Sequence, residues 1–359
     1  MRAALITLAL IAVPQPVTAL TPARPQVGAP GVSVQASLDR QLSLNLTAAP
    51  LEEAIAAIED AAGIPIRVPV STYDRLPYGR LTPITLRSEN VPLSQVLDAL
   101  SGRLALVVDR HADGFLQLLP EPALIRLGRR AAPGELALIQ HLATSPFEGD
   151  LRQLTLVDLL TQLDLALLDQ DTRRLPGREA TGFHVEIRLA DDLLREQPVS
   201  ISREMSMLDA LEAAAEQSDA TWYPWGKTIV VVGDRDHVNW LLDTPIDVRY
   251  DGSDLQQVLL DLSRRSAVPF DLAPGLIDRL PPEKRRVRLT APNVSTRAAL
   301  EAISAYTGLR YEVTAEGVRI TAVSNEPRIV GLIDNGDGTF RAVYEDDITD
   351  AERAKLAPQ

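Results

Sequence analysis

The sequence predicts an α+β protein of three tandem βαβ–βαββ modules of roughly 80 residues each, with helices packed on small mixed sheets. Three observations predict it. One apolar pattern returns five times at fixed offsets, paired units share a connector, and the second unit of each pair closes on a hairpin.

The pattern is clearest from Leu86. Ile84 stands two residues earlier, and Leu93, Val96, Leu97 and Leu100 stand seven, ten, eleven and fourteen later. From Leu289 the same offsets give Val287, then Thr296, Ala299, Leu300 and Ile303. From Val248 they give Ile246, Leu255, Val258, Leu259 and Leu262, and from Leu44 they give Leu42, Leu51, Ala54, Ile55 and Ile58. A fifth copy starts at Ile201 and is one loop residue shorter, so Ala210, Leu211 and Ala214 follow early. Apolar residues two apart place one face of a strand on a core. Apolar residues at i, i+3, i+4 and i+7 place one stripe of a helix on the same core. Pro50 and Pro92 fall where a first helical turn needs no backbone donor.

A return strand is expected beyond each helix, at Ile64/Ile66, Leu106/Val108, Ala220/Trp222, Val268/Phe270 and Leu309/Tyr311. Gly63 and Gly308 precede two of them, where a helix end takes the left-handed conformation. The connectors YDRLPYGR (Tyr73–Arg80) and IDRLPPEK (Ile277–Lys284) match. The closing hairpins are VVDRHADGFLQLL, WYPWGKTIVVV and YEVTAEGVRIT, each with a glycine in its turn.

The boundaries follow. Residues 42–120 form module 1, 135–233 a divergent module 2 and 242–323 module 3, with 121–134 a linker between the first two. In module 2 the first helix is marked by Leu156, Leu159, Leu160 and Leu163, and its first strand is expected, displaced, at Leu136–Leu142. Residues 326–359 are expected as a hairpin around Asn335–Gly338 and a short helix capped by Thr349.

At the other end, Arg2, the apolar run Ala3–Val13 and the small residues Val17-Thr18-Ala19 have the order of an export signal cut after Ala19. The run is too short to span a bilayer, and no later segment reaches that length. Residues 20–41 read as a flexible tether. A periplasmic or secreted protein without a transmembrane segment is therefore expected. There is no cysteine, which excludes disulfides and thiol chemistry, so packing alone must hold an exported chain. With 45% apolar but only 4% aromatic residues, the core must be aliphatic. The net charge of −13 is the wrong sign for a nucleic-acid partner.

NVPLSQVLDAL followed by LALVVDRHADGFLQLL resembles the secretin and TonB N-terminus short domain, and the related periplasmic N-domains of secretins. The likeness is best at Ile84–Leu119 and Val287–Thr321. It extends more loosely to Leu42–Val68, Val199–Val232 and Ile246–Leu272. It implies a periplasmic, non-catalytic docking role, in which such domains receive partner proteins ahead of an outer-membrane barrel. The 37 residues after Ala322 are too few to build such a barrel, so the resemblance carries the docking role only.

Motifs for chemistry are sparse. None of His111, His141, His184 and His237 forms a His-Glu-x-x-His pair. His111 reads as a turn residue and His184 as the solvent face of a strand. GDRDH (Gly233–His237) gathers two carboxylates and an imidazole but reads as a polar inter-module turn rather than a metal site. DNGDG from Asp334 fails the calcium-loop register, since its third and fifth positions are Gly336 and Gly338. Asp164, Asp169 and Asp171 read as a solvated face. No catalytic, cofactor or metal residue is assigned. In WYPW, Trp222 falls at a core offset and a plain turn with a packed tryptophan is the leading reading, while Tyr223 and Trp225, which flank the turn, are the candidate exposed partner-binding residues. The expected function is a non-enzymatic docking adaptor or scaffold whose partner is an envelope protein, secretion or transport machinery among them. The alternative is a glycan- or cell-wall-binding protein, and an unrecognised enzyme ranks third.

Overall fold

In the computed structural model, residues 34–147, 151–173, 180–202, 204–322, 329–334 and 340–344 are described. They form a mixed α+β protein of small sheets and short helices. The expected export signal, most of the tether, the Asn335–Gly338 turn and the Thr349 helix lie outside the described residues.

The first stretch contains α1 (Val34–Leu38), β1 (Gln41–Pro50), α2 (Leu51–Ala62), β2 (Ile66–Arg67), α3 (Val70–Arg75), β3 (Pro83–Pro92), α4 (Leu93–Leu104), β4 (Leu106–Arg110) and β5 (Leu116–Pro120). β1 and β3 pair antiparallel. β5 sits between a parallel β2 and an antiparallel β4. Leu51, Ala54, Ile55 and Ile58 of α2 are buried, as are Leu93, Val96, Leu97 and Leu100 of α4. The end of the expected tether is not loose: α1 lies in it, and Leu38 is buried.

The second stretch contains α5 (Pro122–Arg126), α6 (Pro133–Thr144), β6 (Pro146–Phe147), β7 (Leu151–Thr155), α7 (Leu156–Thr172), β8 (His184–Ile187), α8 (Asp192–Arg195), β9 (Pro198–Ile201), β10 (Met205–Ser206), α9 (Met207–Gln217), β11 (Ala220–Trp225) and β12 (Thr228–Gly233). β7 pairs antiparallel with β9, and β12 sits between a parallel β8 and an antiparallel β11. Two expectations are corrected. Leu136–Leu142 is helical, within α6, and the strand ahead of α7 is β7. Leu136 and Leu138 mimic strand alternation, but Leu138, Ile139 and Leu142 are buried on one side of a helix that Pro133 and Glu135 open. Residues 121–134 are not a free linker either, because Ala123, Leu124, Leu127 and Ala131 are buried in the same core as the first two stretches.

The third stretch contains α10 (Asp234–Asp243), β13 (Pro245–Asp254), α11 (Leu255–Ser266), β14 (Phe270–Leu272), β15 (Arg286–Ser295), α12 (Thr296–Thr307), β16 (Leu309–Val313) and β17 (Val318–Ala322), followed by the paired β18 (Ile329–Asp334) and β19 (Phe340–Tyr344). β13 pairs antiparallel with β15, and β17 sits between a parallel β14 and an antiparallel β16. A second apolar core runs through these elements. The same two-strand ladder and three-strand sheet, with the same strand senses, thus occur in each stretch.

The backbone repeats as well. Four residues after the strand references stand Ala48, Asn90, Gly252 and Asn293, and all have positive φ. Glu204 does so in the shorter copy. Register shifts accompany them in the β1–β3 and β13–β15 ladders, as left-handed bulges require. Gly63 and Gly308 end α2 and α12 in the left-handed region, and Ala105 and Ala267 do the same for α4 and α11 despite their Cβ atoms.

Candidate functional site

The expected binding residues lie on β11, and they separate. Trp222 is 1% exposed and Tyr223 only 3%, while Trp225 is 45% exposed. Tyr223 is therefore not a surface anchor. Both faces of β11 are covered. Trp222 borders one small internal space together with Leu156 and Leu160 of α7 and Leu211 and Ala214 of α9. Tyr223 stacks on His237 and Trp240 of α10, with ring centroids 5.3 and 4.9 Å apart. Trp225 stands edge-on to Tyr223 and Trp240 at 6.5 and 5.8 Å.

GDRDH is the entry to α10 and not a turn. His237, Val238, Leu241 and Leu242 form its buried stripe. The His237 Nε2 lies 2.8 Å from the Arg126 carbonyl oxygen, so this nitrogen carries the proton and donates it. Burial pushes the imidazole down to about 4, with the Arg126 charge acting in the same sense, so it is neutral near pH 7. Asp234 is pushed the other way, up to about 6, by burial and then by the Asp219 carboxylate.

Sequence reasoning missed the charged half of this joint. The Glu135 side chain, 2% exposed, receives the Arg129 guanidinium at 2.7 and 3.0 Å, the Ala132 N–H at 2.7 Å and the Gly226 N–H at 3.0 Å. Burial alone would raise its pKa. The hydrogen bonds from Arg129, Gly226 and Ala132 outweigh burial and hold it below the usual carboxylate range. Arg129 also covers the Trp225 ring at 4.4 Å. Beside it, Arg126 forms a two-pronged pair with Glu212 at 2.6 and 2.8 Å. Gly128 has φ +66° and passes so close to α10 that a Cβ there would collide with the Leu241 side chain. The cluster thus clamps residues 126–135, the Gly226 turn and α10 together, and Trp240 packs against both cores.

The other histidines have separate partners. His111 stacks on Phe115 at 4.2 Å, His141 lies against Phe183 at 5.2 Å, and His184 meets Thr228 at 3.1 Å. Asp164 and Asp171 are not a solvated face: Asp164 accepts the Val185 N–H at 2.7 Å, and Asp171 accepts from Thr181 and Gly182. Among the described residues no group of three or more His, Asp or Glu side chains is placed to hold a metal ion. No helix among them is long and apolar enough to cross a membrane.

The ladders β1–β3, β7–β9 and β13–β15 each hold two strands among the described residues, so each leaves outer edges without a strand partner. Such edges are templates for an added strand. No family model, curated protein or solved structure matches the chain.

Proposed function

We propose that the protein is a non-enzymatic docking adaptor of the bacterial cell envelope, built from three tandem modules similar to the secretin and TonB N-terminus short domain. The observation that carries this reading is the threefold return of one ladder-plus-sheet arrangement, with left-handed bulges at matching offsets. Duplication accounts for matching offsets, connectors and bulges together, whereas generic strand–helix periodicity accounts only for the apolar spacing. The function then lies in open ladder edges. A glycan site is less well supported, because Tyr223 is interior and Trp225 lacks a second exposed ring beside it in the joint.

The protein acts in the periplasm or outside the cell after cleavage behind Ala19, and its partner is another envelope protein. Crosslinking of the tagged mature chain in intact cells, with mass spectrometry of the products, tests this. A defined envelope protein recovered in stoichiometric yield supports it. Recovery of polysaccharide alone, or an intact mass that retains Met1, overturns it.

A further inference from the structure

Three ladders carry the same device on one strand. The residue just before the strand reference has its carbonyl taken by a long side chain from the following helix. Arg103 donates to the Thr85 carbonyl beside β3. Gln217 does so to Ser200 of β9 at 3.0 Å, and Arg265 to Asp247 of β13 at 3.2 Å. Each helix thereby occupies an acceptor that an added strand would need. Beside β1 the helix residue is Ala61, too short to reach the strand, and the nearby Arg40 guanidinium goes to the Ala62 carbonyl at the end of α2 instead.

β15 differs. The residue at the arginine position is Tyr306, 49% exposed, and its hydroxyl donates to the Glu283 carbonyl at 2.7 Å and not to β15. Among the described residues no side chain donates to the carbonyl of Arg288, the counterpart of Thr85. A cleft of about 550 Å³ opens there, with Val287, Leu289, Ala302 and Ile303 as its apolar lining and Tyr306 at its end. That volume lies in the range of sites that hold a ligand or several side chains, about 300–1,000 Å³.

The charge around the cleft runs against that of the chain. Arg286 and Arg288 line it together with Glu283 and Asp251, and Lys284 and Arg285 adjoin it in sequence, within a protein of net charge −13. The Arg285 guanidinium is spent on the Leu280 and Asp278 carbonyls. Arg288 meets Asp251 only at 3.8 Å, with both side chains more than four-fifths exposed, so that pair is screened. Lys284 and Arg286 make no ion pair among the described residues.

We propose that the open edge of β15 beside α12 takes an extended segment of a partner protein, with carboxylates alternating with apolar residues, as an added strand. The partner's backbone pairs with β15. Its apolar side chains enter between Val287, Leu289 and Ile303, and its carboxylates meet Arg286 and Arg288. This rests on the adaptor reading and assigns it one edge.

The test is fluorescence anisotropy of the full mature chain with a labelled synthetic peptide, acetyl-EVEIEVE-amide, and with acetyl-KVKIKVK-amide as the opposite-charge control. Saturable binding of the acidic peptide alone is expected. The double variant Arg286→Glu/Arg288→Glu should weaken it about tenfold. Tyr306→Arg, which introduces the side chain found at this position beside β3, should abolish it. All three positions are on the surface, and circular dichroism of each variant should match the parent. No saturable binding, equal binding of the lysine peptide, or undiminished binding by Tyr306→Arg overturns the proposal. The envelope crosslinking separates the two readings. If Tyr306→Arg still captures the same envelope protein, the adaptor reading stands and this edge is not its site. If the peptide binds as expected but no envelope protein is captured, the edge stands and the adaptor reading falls.

Discussion

Replacing Glu135 should loosen the joint that holds residues 126–135, the Gly226 turn and α10 together. The carboxylate accepts from both terminal nitrogens of Arg129 and from the Ala132 and Gly226 N–H groups. In Glu135→Ala the two backbone donors lose their acceptor, which costs about 1–3 kcal/mol each when they stay buried. Arg129 is about a third exposed and rests on Trp225, so its charge returns in part to water and adds less than a fully buried cation would. A total of about 3–5 kcal/mol is expected, the usual cost of removing one member of a buried pair. Glu135→Gln keeps one acceptor oxygen but turns an amide NH₂ toward donors, so about 2–3 kcal/mol is expected. The assay is urea unfolding followed by tryptophan emission. The chain has three tryptophans, and Trp222, Trp225 and Trp240 all lie at this joint, so the emission reports on it directly. The sign with pH is fixed as well. The folded pKa lies below the ordinary 4.5, so the contribution is present above that value and is lost as pH falls through the folded pKa. An unchanged midpoint for Glu135→Ala would refute the clamp.

Three further predictions follow from the same geometry. Leu97, Leu259 and Leu300 are each 1% exposed at one shared offset, so each change to Ala should cost about 2–5 kcal/mol in chemical denaturation; an unaffected Leu300→Ala would break the equivalence of that unit. Ala267 ends α11 at φ 58° and is only half-buried, so Ala267→Gly should raise stability by about 1 kcal/mol, read as a higher unfolding midpoint. His237 and Asp234 have opposing linkages. The imidazole, at about 4 when folded, costs stability as pH falls from 6.5 toward 4, whereas the carboxylate, at about 6, costs stability as pH rises from 3.8 toward 6. Together they should leave stability nearly flat across that interval. Asp234→Asn should expose the His237 slope, up to about 3 kcal/mol, as a thermal midpoint that falls on acidification.

The helices on the ladders were legible because each buries one stripe of aliphatic residues on one core, and Leu93, Val96, Leu97 and Leu100 announce that stripe without help from distant contacts. The joint was not legible for the opposite reason. Tyr223 is interior only because α10 returns over the second face of β11, and strand alternation carries no record of a helix that arrives later in the chain. Glu135 and Arg129 read as surface charges until tertiary structure removes water from them. Some signals were present but weak. Ala123, Leu124 and Leu127 after Pro122 have helical spacing, and so do His237, Val238, Leu241 and Leu242. Charged neighbours, GRR in one case and GDRDH in the other, made both look like loops.

The repeat also limits where an added strand can go. A left-handed residue interrupts each long strand at the same offset, whether it is Ala48, Asn90, Gly252 or Asn293, so the position fixes the backbone and leaves the side chain free. Beyond such a bulge the strand twists and its hydrogen-bonding edge turns away from any straight partner. On β15 the bulge at Asn293 leaves the stretch from Arg286 to Thr290 as the regular part of the edge. That is where the cleft lies, and it is the strand whose helix carries a tyrosine in place of a capping arginine or glutamine. If duplication produced the ladders, capping guards one strand of each, β3, β9 and β13, against indiscriminate pairing. The side chain at position 306 then decides whether the β15 edge is open, without disturbing Ala299, Leu300 or Ile303 in the core beneath.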